Sequence, residues 1–398
     1  MAINETPSRI EPARIDEPTA ALADTIADLS ASAAILGRAL HPLTAANLAD
    51  LVRVMNTYYS NLIEGHNTRP RDIERALAGD FDVDEKGRSL QMEAAAHVRV
   101  QRQIDFLFAS GPPPVSTSEE FIRWIHREFY RDASESMLRL EGGGRVIVME
   151  PGALRSKPEH DNAVGQHLPP SSEYVAHFLH YFSERYDISK MGTASRILAI
   201  PAAHHRFNYI HPFPDGNGRV SRLMSHAMGQ EAGIGAHGLW SVSRGLSRGL
   251  ESRSEYKRMM ALADTPRLND LDGRGNLSLR ALQEFSAWFL RVCLDQVRFM
   301  TELFDLETLR KRLRRYVESS QTLRPEGASL LEEALFRGEF ERGEISRITG
   351  LPRRTASRVM SELVKIGLLA STTERGPLSL RFPQDSLEAL FPLLYPRV

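Results

Sequence analysis

His211-Pro212-Phe213-Pro214-Asp215-Gly216-Asn217-Gly218-Arg219-Val220-Ser221-Arg222 decides how the whole chain reads. His211 can accept a proton near neutral pH. Asp215 is a hard oxygen ligand suited to Mg²⁺. Gly216-Asn217-Gly218 lets backbone amides approach an anion closely, where a helix should begin, which makes a phosphate cradle. Arg219 and Arg222 stand three apart and share a helix face. Two guanidinium groups beside such a cradle suit a polyphosphate. A lone Asp-Gly-Asn-Gly is most often a surface turn. With His211 ahead of it and two arginines behind, the turn reading loses its force. Phe213 reads as a buried anchor for the loop.

Outward from this stretch the pattern is mainly helical. Leu48, Leu51, Val52 and Met55 recur at helical spacing, and Pro70 opens a further helix whose N-terminal dipole Asp72 and Glu74 suit. Another runs from about Leu90 to Phe108 and stops at Ser110-Gly111-Pro112. Ser118 opens the next. Gly142-Gly143-Gly144 reads as an interruption, and a small β-hairpin is expected between about 145 and 168. Helices are expected at 171–186, 192–207, 217 to about 231, 255–264 and 279–318. Residues 328–382 read as three helices and two short strands, with Gly350-Leu351-Pro352 as a tight turn. The division expected is a disordered arm at 1–18, a helical region at 19–110, a core with a helical tail at 111–318, and a separate module at 325–398.

Composition narrows the class. The chain has 398 residues, 50 Lys+Arg against 51 Asp+Glu, and one cysteine, Cys293. A wholly basic coat protein and a cysteine-built zinc site are both excluded. Cys293 sits among Trp288, Phe289 and Leu290, as a buried structural thiol would. The polar N-terminus has no apolar secretory core. Ile197 to Ala203 is the best apolar run, and it is too short for a membrane helix. A cytoplasmic protein with no membrane partner is expected. His204-His205 with His211 lacks the spacing of a separate metal site.

The twelve residues resemble HxFx(D/E)GNGRxxR, the signature of the Fic family, with every defining position filled. The resemblance implies a helical core with a β-hairpin flap, and transfer of AMP from Mg-ATP to a Ser, Thr or Tyr hydroxyl of a target protein or of itself. It makes His211 the general base and Asp215 the Mg²⁺ ligand. Gly216, Asn217, Gly218 and Arg219 become the phosphate loop, and Arg222 the γ-phosphate contact. Pro151 to Arg155, and Val164-Gly165-Gln166-His167, resemble the flap that docks the target as an added strand. Ser254-Glu255-Tyr256 resembles the element whose Tyr lines the adenine pocket. Where some relatives carry an Asn eight residues later, this chain has Asp264. Ser60-Asn61-Leu62-Ile63-Glu64-Gly65 fits (S/T)xxxE(G/N), the family's inhibitory motif, and implies that Glu64 pairs with Arg222. A solvated Glu64 ahead of a helix-ending Gly65 is the plainer alternative. The resemblance covers about 60 to 265, plus the helical tail.

The module at 325–398 resembles a winged helix-turn-helix. Arg353, Arg354, Thr355, Ser357 and Arg358 fall early in its third helix, where DNA contacts are made. Arg310 to Arg315 is a further basic run. Two other functions stay open at this point: a DNA-binding regulator whose Fic core senses nucleotide, and a Fic enzyme using another phosphate-containing donor. Homodimerisation is also open.

Overall fold

The computed structural model describes residues 5–142, 145–161, 163 and 167–395. The protein is mostly helical and divides into two compact units. One comprises Met1–Ala31, Asn56–Gly235 and Ser241–Gln296; the other comprises Ser32–Met55, Ala236–Trp240 and Val297–Val398.

In the first unit the centre is a helical hairpin, Thr193–Ile210 followed by Asn217–Glu231. From Ile197 onward Thr193–Ile210 is buried on nearly every side, His204, His205 and Arg206 included, while its first turn is exposed. Phe178, Phe182, Phe207, Phe213 and Leu223 are fully buried about this pair. Each such side chain contributes roughly 1.5–3 kcal/mol by leaving water. Glu85–Ala109, Glu119–Phe129 and Val175–Arg185 complete the helical shell. Ser118 caps Glu119–Phe129 by accepting from the Phe121 amide. Asp84 caps Glu85–Ala109 in the same way.

Several expectations need correction. The hairpin pairs Arg139–Gly142 with Arg145–Val148, Leu140 opposite Ile147. Its second strand falls at the start of the expected 145–168, but its first lies ahead of that span, and Gly142, expected to interrupt the chain, is the last residue of that first strand. The segment expected to be a disordered arm is packed from Glu5 onward. Ile10, Ala13 and Ile15 are buried, Arg206 donates to the Pro12 carbonyl at 3.0 Å, and Tyr186 donates to the Ala13 carbonyl. Apolar residues dispersed among prolines and charges supply that anchoring without any helical or strand period. Ala20–Arg38 is 19 residues long, and its mean hydropathy of 1.3 makes it apolar enough, by length and composition, to cross a membrane. A search for runs of large apolar side chains misses it, because alanine carries much of its apolar character.

In the second unit, the expected single helix over 279–318 is broken by Phe304 and Asp305. Leu306–Ser319 starts afresh under an Asp305 cap. Its Leu309, Leu313 and Val317 are buried, and Arg312 donates to Leu390 O at 3.2 Å. Leu306–Ser319 therefore packs with the C-terminal module, whereas residues 279–296 of the expected tail belong to the first unit. Gly327–Arg337, Ile345–Thr349 and Arg353–Lys365 carry a three-stranded antiparallel sheet, in which Leu378–Leu380 lies between Glu339–Phe340 and Leu369–Ala370. Gly350, at φ +70°, makes the left-handed turn between the second and third helices.

Candidate active site

His211 ends its helix in the left-handed region, at φ 52° and ψ 60°, and its amide still bonds Phe207 O at 3.0 Å. A non-glycine residue there stores strain that its surroundings must hold. Arg155 does so. It is 4% exposed, donates from Nε to His211 O at 2.7 Å and from Nη2 to Pro170 O and Ile210 O, and pairs with Asp161 at 2.7 Å. The Arg155 amide also bonds Pro212 O at 2.8 Å. Burial, then the charge of Arg155, pushes the His211 imidazole down to about 4. The ring is neutral at pH 7 and hydrogen-bonded to the Asn208 carbonyl, with one nitrogen left to accept a proton.

The loop after His211 is clasped from both sides. Asn217 accepts from the Phe213 amide at 2.9 Å and returns a bond to Phe213 O at 2.7 Å. Its side chain is thereby committed to the loop. Phe213 stacks on His126 at 4.0 Å. His126 accepts from the Gly152 amide at Nδ1, so its Nε2–H points to Asp215 O at 3.2 Å. Gly216 has φ +81°, and a Cβ there would stand 2.8 Å from the Tyr130 hydroxyl.

Asp215 takes the Tyr130 hydroxyl at 3.2 Å and Arg219 Nη2 at 3.0 Å, both on Oδ2. Burial opposes its ionisation, but Arg219 and the Gly216 amide outweigh it and hold the carboxyl below its usual range. The Tyr130 and Arg219 donors both fall on Oδ2, which among the described residues leaves a direction at Oδ1 open, and the side chain is 46% exposed. A single open carboxylate fits Mg²⁺, which takes one or two protein carboxylates and fills its shell with phosphate and water oxygens.

Glu64 lies over the first turn of Asn217–Glu231. Its Oε1 is 2.5 Å from Arg222 Nη2, and a Cβ on Gly218 would come within 2.5 Å of that same oxygen. A carboxylate there sits where a helix N-terminus attracts an anion. Arg222 is 1% exposed and also donates from Nε to the Ser60 hydroxyl at 2.9 Å. Burial disfavours the Glu64 charge, yet Arg222 and then Arg219 outweigh it and lower its pKa. Gly65 closes the Pro42–Ile63 helix at φ +84°, and His66 N reaches back to Asn61 O at 2.9 Å. Gly65 thus ends the helix as the plainer alternative has it, but Glu64 is paired with Arg222 and is not solely solvated.

Tyr256 is buried behind the arginine, its hydroxyl 2.8 Å from His204 Nε2, and His204 Nδ1 is 2.9 Å from Ser225. Asp264 faces His205 at 3.0 Å. Both candidates for an adenine contact are engaged with buried histidines. His167 bonds the Tyr209 carbonyl at 2.7 Å, while Val164, Gly165 and Gln166 lie outside the described residues. Arg155, His126, Tyr130 and Glu93, which pairs with Arg219 at 2.7 Å, were not assigned to the site from sequence. Pro151 to Arg155 was the one signal, as part of the flap resemblance.

A helical core with this histidine-to-arginine loop defines the Fic class, and residues 116–228 match the Fic/DOC family. The chain carries a Fic domain. Over 90 residues it is 32% identical to the protein adenylyltransferase Fic of Drosophila melanogaster, and 31% identical to that of Drosophila mojavensis. The first match spans 23% of this chain and 18% of the fly protein; the second, 23% and 17%. The chain thus matches less than a fifth of the length of these relatives. In fold it is similar to a Fic family protein from Desulfovibrio desulfuricans G20, at a TM-score of 0.53 and 16% identity over 92% of this chain and 98% of that one. It is also similar to a Fic domain containing signaling protein from Bacteroides thetaiotaomicron VPI-5482, at 0.52 and 19% identity over 70% and 96%.

Proposed function

We propose that the protein transfers AMP from Mg-ATP to a hydroxyl side chain of a target protein, and that Glu64 holds this activity down. The observation that carries the reading is the Glu64–Arg222 pair at 2.5 Å, set over the first turn of the helix that follows a neutral, half-buried His211. A target hydroxyl oxygen attacks the α-phosphorus, its proton passes to the free nitrogen of His211, and the bond to the β-phosphate breaks, so that pyrophosphate leaves. Asp215 would hold the Mg²⁺, which supplies charge neutralisation across the phosphates. The Gly216–Gly218 amides and Arg219 bind the phosphate chain. Arg222, once free, takes the terminal phosphate and so orients the α-phosphorus. While Glu64 occupies Arg222, that contact is closed to a competing anion. Incubation with labelled ATP tests this: His211→Ala, placed in a Glu64→Gly chain, should cut incorporation ~10²–10⁴-fold while sparing ATP binding. Incorporation equal to that of Glu64→Gly alone would remove His211 from the role of base.

A second activity is favoured by one observation in the C-terminal module. The exposed face of Arg353–Lys365 presents Arg353, Arg354, Arg358 and Lys365, and among the described residues none of them forms an ion pair. We propose that this face binds duplex DNA. The basic run at 310–315 suits this less, because Arg310 and Arg314 are paired with Glu307 and Glu332. Fluorescence anisotropy on a labelled duplex tests it: Arg354→Ala/Arg358→Ala should weaken binding and flatten its salt dependence. An unchanged slope would assign the face to a protein partner.

A further inference from the structure

Arg219 is enclosed on four sides. Its Nη2 is 3.0 Å from Asp215 Oδ2 and its Nη1 is 2.7 Å from Glu93 Oε2. Its guanidinium carbon lies 5.2 Å from the Phe129 ring centre and 5.7 Å from that of Tyr130. The residue is 5% exposed, so its charge is compensated by contacts and not by water. Glu93 comes from the interior of the 25-residue helix Glu85–Ala109, which fixes its backbone on both sides. Neither Arg219 Nη1 nor Glu93 Oε2 has an aimed hydrogen bond, so the two hold each other by charge at short range. His66 Nδ1 faces the same oxygen at 3.8 Å.

Two carboxylates therefore share one buried cation. Glu64 cannot replace either of them, because its oxygen is engaged with Arg222. A guanidinium can donate in parallel to both oxygens of one carboxylate. Without the charge of Glu93, Asp215 is the carboxylate left to Arg219, and a two-pronged grip would fill the direction that Asp215 keeps open. We propose that Glu93 is a positioning residue for Asp215, acting through Arg219: its fixed charge draws the guanidinium aside and keeps one direction of the Asp215 carboxylate free for a cation carried by a nucleotide. The proposal rests on the reading of this site as a Mg-ATP cradle. It also separates the two acidic residues contributed by the N-terminal helices. Glu64, at a helix end beside a left-handed glycine, is an obstacle; Glu93, inside a helix, is a support.

The test is ATP binding by calorimetry on the full chain in the Glu64→Gly background, with saturating Mg²⁺ and with a chelator. The quantity of interest is the gain in ATP affinity that Mg²⁺ brings. Glu93→Gln should cut that gain by at least about tenfold, as loss of a residue supporting a metal ligand does. Its metal-free affinity should change less than about twofold, and AMP transfer should recover at raised Mg²⁺. Glu93→Asp, which keeps the charge, should retain most of the gain. It carries the test if the Gln variant does not fold, and a loss of gain as large as that in an Asp215→Ala control would then contradict the proposal. An undiminished gain in folded Glu93→Gln would overturn it. So would equal losses with and without Mg²⁺, which would mark Glu93 as holding the fold only. If the Glu64→Gly parent itself shows no gain from Mg²⁺, the Mg-ATP reading fails and the proposal falls with it. A parent with the gain and a Gln variant that keeps it would refute Glu93 alone.

Discussion

Two sets of arginines, one in each unit, stand in opposite surroundings. Arg219 and Arg222 are 5% and 1% exposed, and each is paired to carboxylates at 3.0 Å or less. Arg353, Arg354 and Arg358 are exposed and, among the described residues, form no ion pair. A buried guanidinium has lost its water and must be matched in geometry, so it can discriminate a ligand by shape and charge together. An exposed one keeps its water, acts through a screened field and suits a polyanion of loose geometry. Under the proposed function the first set exchanges partners, the Glu64 carboxylate for a phosphate. The second set has nothing to give up.

Removing one arginine from each set puts this contrast at greatest risk. In the Glu64→Gly background, Arg222→Ala should lower AMP incorporation by about 10²–10³-fold, the usual cost of a donor aimed at developing charge. Arg354→Ala in that background should leave incorporation unchanged; equal losses from both would erase the distinction. A smaller effect concerns pH. Because burial and Arg155 hold His211 near 4, the base stays deprotonated from about pH 6 to 8, where an ordinary histidine would be titrating. The rate of AMP transfer should therefore be flat over that range in a pH profile and fall only as pH drops towards 4. A midpoint near 6.5 would mean that the ring is solvated.

Smaller again is the effect on DNA. Each phosphate-binding arginine replaced by alanine on the Arg353–Lys365 face should reduce the slope of log affinity against log salt by about 0.9, read by anisotropy across a salt series. The smallest effect is on stability. Arg358→Ala should stay within about 0.5 kcal/mol of wild type in a denaturant melt, as exposed substitutions do. Arg206→Met, which strips donors from the buried Pro12 and Ala263 carbonyls, should cost about 1–3 kcal/mol.

What sequence could reveal of this site follows from how its parts are spaced. His211 to Arg222 was legible because the histidine, the aspartate, the glycines and both arginines are contiguous on one loop and one helix turn. Ser60 and Glu64 stand one helical turn apart and could be matched as a short string. Tyr130, His126, Arg155 and Glu93 reach the same loop from 56 to more than 100 residues away, each as a single residue without local pattern. Only packing reveals that Tyr130 fills the space beside Gly216, or that Arg155 holds His211 in the left-handed region. The fold shows the same limit. Helices with a period were legible, whereas the segment 5–15 is ordered by tertiary contacts of Ile10, Pro12 and Ala13 that no period announces. The histidine partners of Tyr256 and Asp264 were likewise not legible, since they too come from packing alone.

If the Glu64 carboxylate closes Arg222 to the nucleotide, removing it must release activity that depends on that arginine. Incorporation of labelled AMP, compared among wild type, Glu64→Gly and Glu64→Gly/Arg222→Ala, is the decisive measurement. Low incorporation is expected in wild type, a marked rise in Glu64→Gly and loss of that rise in the double variant. Equal incorporation by wild type and Glu64→Gly would contradict the closure of Arg222 by Glu64.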